Sequence, residues 1–102
     1  MTELYSLSAD NNGVISVSGE LTFKTANQIL LEAPILFEEL SHLEIDLADV
    51  TRSDSAGLAL LVDWMRYAQR GNKEIVFHHM PKQLLAIANA SGLDELLPVN
   101  PI

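Results

Sequence analysis

The sequence predicts one α/β domain: a small mixed sheet of four or five strands in ββαβαβα order, with its helices gathered mainly on one face. Three observations predict it. After an initial hairpin pattern, strand-like and helix-like apolar patterns alternate, which implies right-handed crossovers and parallel pairing. Turn residues at Asn11-Asn12-Gly13, Gly19, Gly71-Asn72, Gly92, Pro98 and Pro101 cut the chain into short segments. The length of 102 residues is one ordinary domain, spanning 1–102, with no room for a second.

Each element has its own signal. Leu4 to Ala9 and Val14 to Ser18 are short strand-like runs, joined by the turn chemistry of Asp10-Asn11-Asn12-Gly13. Phe23, Ala26, Leu30, Ala33, Phe37 and Leu40 recur at steps of three and four, one face of a helix with Thr22 as its N-cap. Pro34 inside that pattern is expected to kink or split it. Leu43-Glu44-Ile45-Asp46-Leu47 alternates as a strand does, and Asp49 to Asp54 reads as a polar loop. A second helix follows from Ser55 to Gln69, with Leu58, Leu61, Val62, Met65 and Ala68 on its inner face and Gly71 as its stop. Glu74 to His79 is a further strand. Pro81 opens a third helix that ends at Gly92, and the apolar tail from Leu93 to Val99 is expected to pack back on the sheet.

Composition excludes several function classes. The chain has no cysteine, which removes disulfide, thiolate-metal and thiol chemistry. Fourteen acidic residues against six basic ones give a net charge of −8. The cations Lys24, Arg52, Arg66, Arg70, Lys73 and Lys82 are scattered, so neither nucleic acid nor an anionic membrane surface is an expected partner. No apolar run reaches the roughly 18 residues needed to cross a bilayer, so no membrane insertion is expected. Met1-Thr2-Glu3-Leu4 lacks the basic and apolar regions of a leader, and a cytoplasmic location is the expectation.

Catalytic and metal chemistry find little support. Ser55 sits at a strand–loop–helix junction, as a nucleophile would, but Ser53-Asp54-Ser55-Ala56-Gly57 lacks the G-x-S-x-G glycines and nothing places His42, His78 or His79 beside it. His78 and His79 are adjacent on a strand and point to opposite faces. Asp46, Asp49 and Asp54 do not have calcium-loop spacing, and capping of a turn or of the second helix is the better use of Asp49 or Asp54. No phosphate-binding glycine loop is present. The sequence therefore predicts no catalytic residue, no metal site and no cofactor.

The segment from Asp46 to Leu61 stands out: a buried strand, a polar stretch, and a helix whose first turn carries the Ser55 hydroxyl. A helix N-terminus presents free N–H groups and a partial positive charge, so Ser55 can serve as a cap, a contact or a phosphate acceptor. A partner-binding surface is expected over Asp49, Thr51, Arg52, Ser53, Asp54, Ser55, Ala56 and Gly57. Trp64 falls between Leu61 and Met65, to one side of the core stripe. It is expected to be half exposed, either flanking the core or anchoring a partner.

Element order and the Asp54-Ser55-Ala56-Gly57-Leu58 junction resemble the STAS domain family. So do Gly19-Glu20-Leu21, Ile45-Asp46-Leu47 and Ala90-Ser91-Gly92-Leu93 at their positions along nearly the whole chain. The antagonist branch of that family reads Asp-Ser-Ser-Gly or Asp-Ser-Thr-Gly with the first Ser phosphorylated, which corresponds to Ser55, whereas Ala56 stands here in place of the second hydroxyl. Asp54-Ser55-Ala56-Gly57-Leu58-Ala59-Leu60-Leu61 is more similar to the MlaB-type branch, the stand-alone STAS subunits of Mla phospholipid ABC transporters. That resemblance implies a non-enzymatic cytoplasmic subunit. It would bind and regulate or stabilise the transporter ATPase, in a system that maintains outer-membrane lipid asymmetry, with Ser55 and the start of its helix as contact site. The alternative implied by the family is an anti-sigma factor antagonist that binds an anti-sigma factor kinase and is controlled by phosphorylation of Ser55.

Overall fold

The structure, a computed structural model, describes residues 3–100. Strand β1 (Tyr5–Ala9) turns into β2 (Val14–Leu21) through a loop that its own aspartate closes. Asp10 Oδ1 accepts from the Asn12 and Val14 N–H groups at 2.8 and 3.0 Å, and Gly13 takes the positive φ of +80° that completes the turn. Helix α1 (Ala26–Phe37), strand β3 (His42–Ser53), helix α2 (Ser55–Arg70), strand β4 (Glu74–His78) and helix α3 (Lys82–Ala90) follow, which is the expected ββαβαβα order.

The sheet runs β1-β2-β3-β4, antiparallel between β1 and β2 and parallel thereafter. Ile15, Ile45 and Phe77 stand in register across its middle and are fully buried, as are Val17, Leu43 and Leu47 beside them. All three helices contribute to this one core, through Ile29, Ala33 and Phe37, then Leu61 and Trp64, then Leu84 and Ala88. The alternate strand positions, Ser16, Ser18, Glu44, Asp46 and His78, form the half-exposed opposite face. The tail packs back as expected: Leu97 is buried and Val99 bridges Phe77 in parallel at the β4 edge.

Three expectations are corrected. The stretch from Asp49 to Ser53 is not a loop but the second half of β3. It pairs Asp49, Val50, Arg52 and Ser53 with Ser18, Gly19, Glu20 and Leu21, across two register shifts. Its side chains are mostly exposed there, so it has the composition of a loop and the hydrogen bonding of a strand. Second, α1 begins only at Ala26 and is unbroken through Pro34. Thr22 lies in the preceding turn, where its carbonyl accepts from the Ala26 N–H at 2.8 Å; the residue flanking the helix is Thr25, without a side-chain cap. Third, the buried face of α1 is Ile29, Ala33 and Phe37, so Phe23 and Leu30 leave the core: Phe23 is 74% exposed.

Candidate interaction surface at the start of helix α2

The junction between β3 and α2 is built by Asp54. Its Oδ1 accepts from the Ala56 and Gly57 N–H groups at 2.9 and 3.3 Å, which caps the helix. Its Oδ2 accepts from the Phe23 N–H at 3.1 Å and so ties the β2–α1 turn to the same point. The capping role considered for Ser55 therefore belongs to Asp54. Ser55 is the first helical residue, exposed, and its hydroxyl makes no hydrogen bond among the described residues.

Gly57 is not a surface residue. It is buried, and a Cβ at this position would lie 2.2 Å from the Leu21 carbonyl oxygen. The first turn of α2 thus passes over the end of β2 at a distance that only glycine permits. Trp64 is likewise no partner anchor: it is 1% exposed and packs edge-on against Phe37, ring centroids 5.6 Å apart. The buried face of α2 is centred on Leu60, Leu61, Trp64 and Ala68, a rotation from the expected stripe that leaves Val62 and Met65 half-buried.

The remaining expected site residues divide. Asp49, Thr51 and Arg52 are exposed along the end of β3. Ser53 donates its N–H to Gln83 Oε1 at 2.9 Å, which links the junction to α3. Arg52, Ser53 and Asp54 line a cavity of about 170 Å³ with Glu20, Lys24 and Gln83. Ala56, half-buried, lines a different depression of about 270 Å³, the apolar groove between α1 and α2, together with Ala26, Leu30, Ala59 and Leu60.

Sequence reasoning missed the exposed apolar side of α1. Leu31 and Ile35 on α1 are 71% and 73% exposed, and Leu30 and Phe23 join them at the surface. The signal was present: Ile29, Leu30, Leu31, Ala33, Ile35, Leu36 and Phe37 are more apolar residues than one helix face can bury.

The histidines and acidic residues lie elsewhere. Glu74, Glu44 and Asp46 receive His42 Nδ1, His78 Nε2 and His79 Nδ1 at 2.9, 3.1 and 2.9 Å, all cross-links between β3 and the region of β4. No histidine is paired with Ser55, and Asp46 and Asp54 are each engaged in different local bonds. Burial pushes the Asp46 carboxyl up. The Ala48 N–H, then the hydrogen bond and charge of His79, then the charge of His78 outweigh that and hold it below the usual carboxylate range. Among the described residues no helix is long and apolar enough to cross a membrane.

The family described as Mlab, STAS domain, matches residues 7–98. The intermembrane phospholipid transport system binding protein MlaB of Haemophilus influenzae is 35% identical over 83 residues, which covers 81% of this chain and 77% of that protein. Among solved structures, an anti-sigma factor antagonist from Mycobacterium paratuberculosis superposes with a TM-score of 0.75 at 24% identity, covering 96% of this chain and 85% of the other. The anti-sigma factor antagonist SpoIIAA in its unphosphorylated form superposes with a TM-score of 0.70 at 15% identity, covering 94% and 87%. At such identities these two structures speak for the fold alone.

Proposed function

The chain belongs to the STAS family, in its MlaB branch, and from that premise we propose that it is a non-enzymatic accessory subunit of a phospholipid-transporting ABC system. It docks on the cytoplasmic ATPase of that transporter and regulates or stabilises it, in the service of outer-membrane lipid asymmetry. The observation that carries the reading is the outer side of α2. Ser55 and Ala59 are exposed and small at the start of a helix whose inner side is committed to the core; Ala59 borders the apolar groove toward α1, and both border a second depression toward α3. Small side chains there let a partner approach closely, and the groove offers apolar area to cover. Arg52, Thr51 and Asp49 on the adjoining end of β3 form the polar rim.

Ser55→Asp tests this. A carboxylate at the first position of α2 suits the helix dipole, so the fold tolerates it. Under a closely packed partner the same charge is desolvated without a cation, which is costly. The expected outcome is an unchanged melting temperature and a loss of binding to the purified ATPase subunit in calorimetric titration, with Ser55→Thr close to wild type. Full affinity of a folded Ser55→Asp protein removes this surface from the interface.

A second reading, partner switching by phosphorylation of Ser55, is favoured by one observation: the hydroxyl is exposed and unbonded at a helix N-terminus. Intact-mass measurement of the protein from its native cell, together with what co-purifies, separates the two: a phosphorylated form with a small ATP-binding anti-sigma factor, or an unmodified form with an ABC ATPase.

A further inference from the structure

Ser55, Ala59 and Asp63 are spaced four residues apart and form one row along the outer side of α2. The row is a ridge between two depressions. Toward α1 lies the apolar groove that Leu30 walls; toward α3 lies a second one, walled by Leu58, Val62 and Leu93. Ala59 and Asp63 border both.

Asp63 is out of keeping with this setting. It is half-buried, yet its carboxylate has no hydrogen bond and no ion pair among the described residues. Arg66, one turn further along and facing the second depression, forms no ion pair with it. The other polar group in the α1 groove is the neutral Asn27. An exposed carboxylate needs no partner, but closing an apolar surface over this one would strip its water and leave a charge uncompensated. A partner that covers the row must therefore bring a cation to it.

We propose that Asp63 is the charge anchor of the docking surface. The partner lays a helix along the α1–α2 groove, with its apolar side over Ser55 and Ala59 and one Lys or Arg placed to pair with Asp63. Two turns of α2 separate Ser55 from Asp63, about 12 Å at the helical rise, so the basic residue lies that far from the partner atoms that cover Ser55. The net charge of −8 favours the encounter with such a basic segment. This inference rests on the docking reading above and adds to it the chemistry of the partner and the residue that selects for it.

The test is calorimetric titration of the transporter ATPase subunit with the full chain, at low and at high salt. Asp63→Asn is expected to weaken binding about tenfold and to flatten its salt dependence, since the paired charge is gone. Asp63→Lys is expected to weaken it on the order of 100-fold through like-charge contact, and replacement of the matching basic residue of the partner by Glu should recover much of that. Asn matches Asp in helix propensity and Lys exceeds it, so melting curves should stay near wild type; if Asp63→Lys does not fold, the salt dependence of Asp63→Asn decides. Binding of both Asp63 variants within twofold of wild type, alongside a binding-defective Ser55→Asp, overturns the charge anchor and leaves the docking surface standing. If Ser55→Asp also binds normally, the docking surface itself is wrong.

Discussion

Two polar regions of this molecule use similar residues in opposite ways. Across β3 and β4, His42, His78 and His79 face Glu74, Glu44 and Asp46, and every imidazole finds its carboxylate within the chain. Along the outer side of α2, Ser55 and Asp63 find no partner among the described residues. Both regions draw attention in the sequence, the first for its adjacent histidines and alternating acids, the second for the Ser55 hydroxyl at a helix start. Read as a structure, the first is a set of braces between neighbouring strands, and such partly exposed pairs contribute little each. In the second region only Ser55 stands out in sequence while Asp63 looks ordinary, and it is here that bonding capacity is left over. An unspent polar group beside apolar surface is the better mark of a docking site, because the chain itself gives no reason for it.

Between these regions lies the junction residue set Asp54 to Gly57, where structural and contacting roles sit side by side. Gly57→Ala should have the largest effect of any single substitution at this junction. The added Cβ would meet the Leu21 carbonyl at 2.2 Å, a backbone atom that cannot swing away, so α2 must lift from the end of β2. A loss of about 3 kcal/mol is expected, in the upper range for overpacking, read from urea unfolding followed by circular dichroism. An unchanged midpoint would mean that the helix start is not clamped to β2, and that Gly57 could face a partner after all.

Asp54→Ala comes next. It deprives three N–H groups, those of Phe23, Ala56 and Gly57, of their acceptor. Loss of a charged cap costs roughly 1–2 kcal/mol, and the tie to the β2–α1 turn places this case at the upper end. Ser55→Ala, one residue along, should change stability by less than about 0.5 kcal/mol, because its hydroxyl bonds nothing among the described residues. Equal losses at the two positions would erase the distinction between a residue spent on the fold and one held for a partner.

The parts of the fold that the sequence made legible are those where local chemistry and tertiary demand agree. The Asp10–Gly13 turn, the alternation of Leu43, Ile45 and Leu47, and the amphipathic start of α2 each needed only near neighbours to be read. What escaped reading was set at longer range. Polar residues 49–53 became strand because β2 extends far enough to pair with them. Leu30 and Leu31 are equally apolar, and which of them or Ile29 faces the core depends on how α1 is rotated against the sheet. Trp64 falls at the edge of its predicted helix stripe for the same reason. A rotation of both helices away from the expected stripe buried Trp64 and, in the same movement, exposed the apolar side of α1. At the candidate site the junction itself was legible, while its partition into cap, clamp and exposed row required the coordinates.

The smallest effect expected at neutral pH comes from the braced region, and its pH dependence has a definite sign. The Asp46 carboxyl lies below the usual carboxylate range in the folded chain, because the Ala48 N–H and the neighbouring histidines outweigh the cost of its partial burial. A carboxyl depressed in the folded state adds stability above its unfolded value, about 3.9 for aspartate, and that contribution disappears as pH falls through the lower, folded value. Acidification through this window should therefore lower the unfolding free energy of the wild type. In Asp46→Asn the side chain can still accept from the Ala48 N–H but carries no charge for His79 to favour and binds no proton. Its unfolding free energy should fall less steeply across the same window, by the share that Asp46 contributes, while at pH 7 the two proteins differ only modestly. Urea titrations at half-unit steps of pH measure both slopes. Parallel slopes would mean that Asp46 titrates alike in the folded and unfolded chains, and that its brace to His79 is as idle as the unbonded row on α2.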